Sequence, residues 1–490
     1  MVLGLWSAGR EYAVQDLVIF ALTAVVGLVV ILVFFWFWGG DSGRSAKVKA
    51  GEAKQPARWN QPPADEQLGD LGELQKAGSL HEYLLELHDH GRCPVSSFWW
   101  GKEQVVSVCS PQAFKDTVKL TDRAVQLQIA FAPLIGLESI QYSKGEDWEG
   151  RRRCLYPVFK GETLESYFPH FVHIAQEVEK EWSSLESGER VPLLKTAFSM
   201  TIKGITRCIF DDSFEDKLLV EKVSTAYKSA WGEMETRIKE GSSPPEGSDR
   251  DVEFQKNRGY LRDVVKGVIS RRREGLGGEH VPFIDNLLQS GVPDDQVVSD
   301  AIAFMIGGFH TSGNFIVWMM WYLATHPEVQ EQLREELERE TGGERGDRLR
   351  KYASAVSTNY TTYFRQVQDE TLRLSTLAPW AVRESPDDII IDGHLVPGGT
   401  PIIQALGVGL RNTTTWKEGE LEEFNPDRFA VHAEQPEEVW SSVHLGLPVA
   451  ASALATSSPT LRPLSSLPFS CSGSSWSPFQ TRWWNGITDW

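Results

Sequence analysis

Apolar and polar positions recur with a period near 3.6 over eight stretches, 81–90, 146–159, 164–187, 216–240, 252–274, 294–325, 327–341 and 359–375, each predicting a helix. Strand patterns are few and short: VVSVC at 105–109, DIIIDG at 388–393, and the run that follows Pro397-Gly398-Gly399-Thr400. The expected fold is mainly α with a small β region. EGSSPPEGSD (240–249) falls between two helical stretches and is rich in Ser, Pro and Gly, which marks a surface loop. No internal repeat is visible.

Two stretches are long and apolar. LVIFALTAVVGLVVILVFFWFW, 17–38, has 22 residues without a charge, and roughly 20 suffice to span a bilayer as a helix. The apolar part of a secretory signal usually runs only about 7–15 residues, and no small-residue cleavage site follows here. The span is therefore expected to be a retained anchor in the lipid bilayer. Arg44, Lys47, Lys49 and Lys54 follow it and only Arg10 precedes it, a bias that places the body on the cytoplasmic side. The second stretch, 301–324, also lacks Asp, Glu, Lys and Arg. Its middle, however, gathers Gly307, Gly308, His310, Thr311, Ser312, Gly313 and Asn314, which are costly at a bilayer centre. It reads as a buried helix of the body, starting after Pro293 and stopping at His326-Pro327, about 48 Å long. The expected organisation is an anchor at 1–40, a polar linker at 41–78, a folded domain at 79–434 and a tail at 435–490.

Composition narrows the function. A chain of 490 residues with 41% hydrophobic residues can build a substantial core, and a net charge of −18 excludes a general nucleic-acid binder. Cys93, Cys109, Cys154, Cys208 and Cys471 form an odd, sparse set with no C-x-x-C spacing. That pattern suits neither a disulfide framework nor a structural zinc site, and it fits a reducing compartment.

Several motifs in chain order resemble the cytochrome P-450 haem-thiolate monooxygenases. Gly307-Gly308-Phe309-His310-Thr311 lies in the long central helix, where that family carries a small-Gly-x-acid-Thr signature. By the resemblance, Gly307 and Gly308 leave room for dioxygen beside the Thr311 hydroxyl, which would feed protons to it, while His310 replaces the acid and would relay protons near neutral pH. The alternative is a core histidine and a threonine bonded back to a helix carbonyl. Glu370-Thr371-Leu372-Arg373 is an E-x-x-R, and Arg428 in Phe424-Asn425-Pro426-Asp427-Arg428-Phe429 completes the family's structural triad. Trp148 and Arg152, spaced to share a helix face, and Arg383, after Ala378-Pro379, resemble contacts to the haem propionates. His326-Pro327-Glu328-Val329-Gln330 with Leu333 and Glu336 follows the family's continuation beyond the central helix. GSLHEYLLELHDHG (78–91), leading into SSFWWG, is similar to the orphan animal subfamily 20A.

The resemblance implies haem as cofactor, NADPH used through a partner reductase, an apolar small-molecule substrate receiving one oxygen atom, and an endoplasmic-reticulum membrane. Arg151-Arg152-Arg153 would either help dock that reductase or place Arg152 on haem between solvated neighbours. The family's thiolate loop, F-x-x-G-x-x-x-C-x-G, is missing. Cys471 is followed by Gly473, but Leu464 and Leu467 stand where Phe and Gly belong, so it is only a weak candidate. From Ser441 to Trp490 only Arg462, Arg482 and Asp489 are charged and 12 residues are Ser. Such a texture implies a shifted frame or altered splice near 435–445, or else a true Ser-rich tail. The rival function is a non-catalytic, membrane-tethered binding or scaffold protein derived from the family.

Overall fold

The computed structural model describes residues 53–430 apart from 119, 121, 125–130, 160, 187–188, 211–215, 241, 277–281, 343–351, 353–361 and 413–420. The expected anchor at 17–38, the tail at 435–490 and Cys471 lie outside the described residues.

Helices dominate, as the pattern predicts. In chain order they are α1 (Leu71–Ala77), α2 (Leu80–Leu87), α3 (Pro111–Thr117), α4 (Ala132–Ile135), α5 (Gly145–Leu155), α6 (Gly161–Ser183) and α7 (Leu193–Phe210). They continue with α8 (Lys217–Glu240), α9 (Asp249–Arg273), α10 (Pro282–Gln289), α11 (Asp294–Thr325), α12 (Pro327–Thr341), α13 (Tyr363–Ser375) and α14 (Leu406–Leu410). Local chemistry sets their ends. Ser79 and Thr362 accept the backbone N–H of Glu82 and Arg365 at 3.1 and 3.2 Å, capping α2 and α13. Helix α11 opens after Pro293 with Asp294 and Asp295 in its first turn, where carboxylates complement the free N–H groups.

The strands are β1 (Val95–Trp100), β2 (Glu103–Val108), β3 (Ala381–Arg383), β4 (Ile389–Ile391), β5 (His394–Val396) and β6 (Ile402–Gln404). One sheet has the order β1-β2-β6-β3, with Val95 opposite Val108, Val106 parallel to Ile402 and Ala381 opposite Gln404. A separate hairpin pairs Ile389 with Val396. The expected linker needs correction over its described part. Ala57 bridges Ser96, Gly69 bridges Trp100, and the Asp70 carboxylate accepts the Trp99 N–H, so this polar segment lies along the sheet edge through backbone and carboxylate bonds and needs no apolar stripe.

Three quarters of the residues of α11 are buried, and its most extensive packing is against α7. Among the described residues no helix is long and apolar enough to cross a membrane. The apolar character of α11 serves the centre of a helical body, as its glycines and polar middle imply. Helix α7 was not expected from the pattern. Thr196, Thr201 and Thr206 break its apolar run, yet all three are buried, and the Thr201 hydroxyl donates to the Ala197 carbonyl at 3.1 Å.

Candidate functional site

The neighbours of α11 divide its middle into two faces. Gly308 faces α7 so closely that a Cβ there would lie 2.4 Å from Ile205 Cδ1. Phe309 packs edge-on to Phe198 and Tyr227, with centroids 5.1 and 4.7 Å apart, and a Cβ on Gly313 would stand 3.1 Å from Phe198. By the 100° step of a helix, Gly307 and Thr311 lie about 40° apart on the side of α11 turned from Phe309 and Gly313, with Gly308 at the edge between the two faces. Gly308 thus lets α7 approach while staying within about 60° of Thr311, and Gly307 lies nearer the centre of the threonine's face.

That second face is bounded at both ends. Towards its start, Asp300 is fully buried, takes the guanidinium of Arg151 at 3.2 Å and accepts the Ile140 N–H at 2.6 Å. Burial raises the Asp300 pKa to about 7 against the opposing pull of Arg151. Arg151 also reaches the Glu138 carbonyl at 2.8 Å and Asp147 at 3.0 Å. It is therefore a buried tie between α5 and α11, which removes it from the docking patch expected of Arg151-Arg152-Arg153. Towards the other end, Tyr322 stacks flat on Phe424, centroids 4.3 Å apart.

Thr311 is buried, and its hydroxyl donates to the Gly307 carbonyl at 2.6 Å, leaving oxygen lone pairs to accept. Giving a proton would first require breaking this bond. His310 lies among Trp231, Phe198 and Tyr227, with centroids 5.1, 5.9 and 6.3 Å away. Its Nδ1 has no hydrogen-bond partner, and burial lowers its pKa to about 4. The expected relay near neutral pH is corrected: at pH 7 this imidazole is neutral, and it faces the aromatic side of α11.

Of the three expected anion contacts, Trp148 is buried on α5 and carries the Arg152 guanidinium 4.8 Å from its ring centroid. Arg383, on β3, is 1% exposed, donates to the carbonyl of its neighbour Val382 at 2.8 Å, and leaves Nε without a partner. Burial holds its pKa well below the usual arginine value, and the charge of Arg123 adds to the effect. The sequence reading missed Arg123. The Asp122 carbonyl accepts the Glu384 N–H at 3.0 Å, which sets Arg123 beside β3, while Arg123 donates to the Gln141 carbonyl at 3.1 Å. Burial lowers its pKa to about 10. Both side-chain amide atoms of Gln141 are buried without partners. Only the placement of residues 122–124 by the sheet reveals this cluster; no spacing in the sequence marks it. The loop 138–142 runs from Arg151 and Asp300 to Arg123, linking α5 and α11 to the Arg383 end of β3.

The expected triad is assembled. Arg373 binds Glu370 through Nε at 2.6 Å and Nη2 at 2.9 Å, and Arg428 Nε reaches the same carboxylate at 2.9 Å. The Asn425 N–H adds a bond at 3.0 Å, and Arg373 also holds the carbonyls of Leu421 and Glu423 at 2.8 and 3.2 Å. Glu370 and Arg373 are fully buried. A second carboxylate, Glu336 on α12, accepts the Tyr363 and Phe364 N–H groups at 2.7 and 3.0 Å and so fixes the start of α13.

Cys93, Cys109, Cys154 and Cys208 are free thiols, and burial pushes the Cys109 and Cys208 thiols up, which keeps them protonated. Among the described residues no cluster of His, Cys, Asp and Glu is arranged to hold a metal ion.

Comparison with known proteins places these features together. Residues 61–445 match the family model Cytochrome P450, a range that stops before Cys471. Cytochrome P450 20A1 of Rattus norvegicus is 28% identical over 421 residues, covering 85% of this chain and 84% of that protein. Cytochrome P450 20A1 of Homo sapiens is 26% identical, with 84% of each chain covered. Cytochrome P450 4F12 of Homo sapiens is 29% identical over 61% of this chain and 60% of that protein.

Proposed function

Because the chain belongs to the cytochrome P450 family of haem monooxygenases, nearest subfamily 20A, with electrons drawn from NAD(P)H through a reductase partner, we propose that it holds haem against the Gly307–Thr311 face and oxidises an apolar organic substrate there. The observation that carries this reading is Arg383, a buried guanidinium whose Nε lacks a partner and whose neighbour is the cation Arg123. Two like charges under low dielectric are costly without an anion between them. A haem carboxylate supplies one, so this donor set fits the group. Arg383 would hold one propionate, with Arg123 beside it, and Trp148 and Arg152 would clasp the other from α5.

Bound haem would supply oxygen activation and transfer. The chain's own residues do the rest. Gly307 has no side chain to intrude on the face, Thr311 offers lone pairs that hold a water in place, and α7 and α8 seal the far side of α11 with aromatic rings. His310, neutral and turned to that sealed side, does not carry the proton. Glu370, Arg373 and Arg428 act structurally, fixing residues 421–429 against α13.

Activity depends on a thiolate from beyond residue 430, and Cys471 is the one cysteine in that part of the sequence. The second reading, a non-catalytic membrane-tethered binding protein, is favoured by Leu464 and Leu467 replacing the loop's Phe and Gly. Reduced, carbon-monoxide-treated protein distinguishes them. A red-shifted Soret band, lost in Cys471→Ala, supports the monooxygenase; an unshifted band supports the binding protein; and no haem uptake at all sinks the monooxygenase and the assignment of haem to the Gly307–Thr311 face. Residues 17–38 would anchor the chain in the endoplasmic reticulum with its body in the cytoplasm.

A further inference from the structure

Helices α6, α7 and α8 enclose a cleft of about 970 Å³ on the side of α7 turned away from the Gly307–Thr311 face. Its floor includes Ile174, Val178, Met200 and Val220, all buried and apolar. Lys195 of α7 and Lys228 of α8 both line it. Among the described residues neither makes an ion pair with a carboxylate, whereas Lys203 in the same wall is matched by Glu177 at 2.6 Å. Lys228 instead sets its ammonium 5.3 Å from the centroid of Phe198. Partial burial and the charge of Lys195 both lower the Lys228 pKa. Glu181 and Glu221 also line the cleft, but among the described residues neither pairs with Lys195 or Lys228, so the cleft combines a buried apolar floor with two neighbouring cations that no carboxylate pairs with.

We propose that this cleft is a second ligand site, separate from the haem face, for an amphipathic carboxylate: Lys195 and Lys228 take the carboxylate while the alkyl chain lies over Met200, Val220 and Val178. An anion between the lysines removes their mutual repulsion, and the alkyl chain packs along the apolar floor of the cleft. Phe198 touches Lys228 on one side and Phe309 and Gly313 of α11 on the other, so the site adjoins the central helix without entering its reactive face.

The test is a titration of the purified full chain with dodecanoate, followed by displacement of a dansylated undecanoate. The double variant Lys195→Gln/Lys228→Gln neutralises two exposed side chains, so it keeps the fold. It should weaken dodecanoate binding at least tenfold, while the Lys195→Arg/Lys228→Arg pair retains it. Ser224→Trp, which fills the cleft and leaves the lysines, should weaken it as well. Dodecanol should bind at least tenfold more weakly than dodecanoate, and acetate should compete only at far higher concentration. Equal affinity of the wild type and the glutamine double variant, or of dodecanol and dodecanoate, overturns the proposal. So does binding unaffected by Ser224→Trp, because the ligand would then lie elsewhere, including at the haem.

Discussion

A buried ionisable side chain reports what its surroundings were built to hold, and Arg383 and the buried histidines do so with opposite consequences. Without haem, the Arg383 charge has Arg123 as its neighbour and an idle Nε. Arg383→Met should therefore stabilise the haem-free protein, by about 1–4 kcal/mol in denaturant titrations, while lowering the Soret absorbance retained per chain. A loss of stability without haem would show that the guanidinium is already neutralised. His81, His88 and His310 are held by burial at pKa values of about 3, 4 and 4. The unfolded chain takes up a proton on each below about pH 6.5, whereas the folded chain waits until far lower. Their contribution is thus present above pH 6.5 and lost as pH falls towards 4, by up to about 1.4 kcal/mol per pH unit for each. Thermal melts at pH 7 and pH 5 should differ less in His81→Leu than in the wild type, since both nitrogens of that ring are without partners and a hydrophobe loses nothing there. An unchanged difference would place the acid sensitivity elsewhere.

Among the elements, the junction of α7 and α11 rests on Gly308. Gly308→Ala puts a methyl group into Ile205 and should cost about 1–3 kcal/mol; the double variant Gly308→Ala/Ile205→Ala should cost less than the two single changes added together, which a double-mutant cycle in chemical denaturation measures. Simple additivity would mean that the helices separate by another route. The triad offers a sharper case. Glu370→Gln leaves two buried guanidiniums facing a neutral amide and should cost about 3–5 kcal/mol. Legibility in the sequence follows the same physics. Helix α11 could be read to its terminal residues because Pro293 and Pro327 flank it, and the triad could be read because Glu370, Arg373 and Arg428 carry distinct chemistry at fixed spacing. Helix α7 went unread although Lys195, Ser199, Lys203 and Arg207 form a polar stripe at four-residue spacing, because Thr196, Thr201 and Thr206 interrupt its apolar face. The strands β1 and β3 were missed as well: AVR gains its identity from Gln404 in β6, whereas VSSFWW pairs with the adjacent β2 across the Gly101-Lys102 turn, a local hairpin that its mixed polar and aromatic pattern conceals. The site divides likewise. Trp148, Arg152 and Thr311 stood out as motif members, while Arg123 and the Arg151–Asp300 tie depend on tertiary approach and carry no local signal.

For the whole molecule, the prediction concerns location. A chain lacking residues 1–40 should move from the carbonate-washed membrane pellet to the supernatant and keep its far-ultraviolet helical signal; if it stays in the pellet, the body itself carries the membrane affinity. The clamp of Glu370, Arg373 and Arg428 has one more consequence. It fixes the backbone of residues 421–430 to α13 through bonds that need nothing from the sequence that follows. The body therefore offers a standard fitting: the ending of a relative can be grafted after Ala430 and will begin its course from a point already held in place.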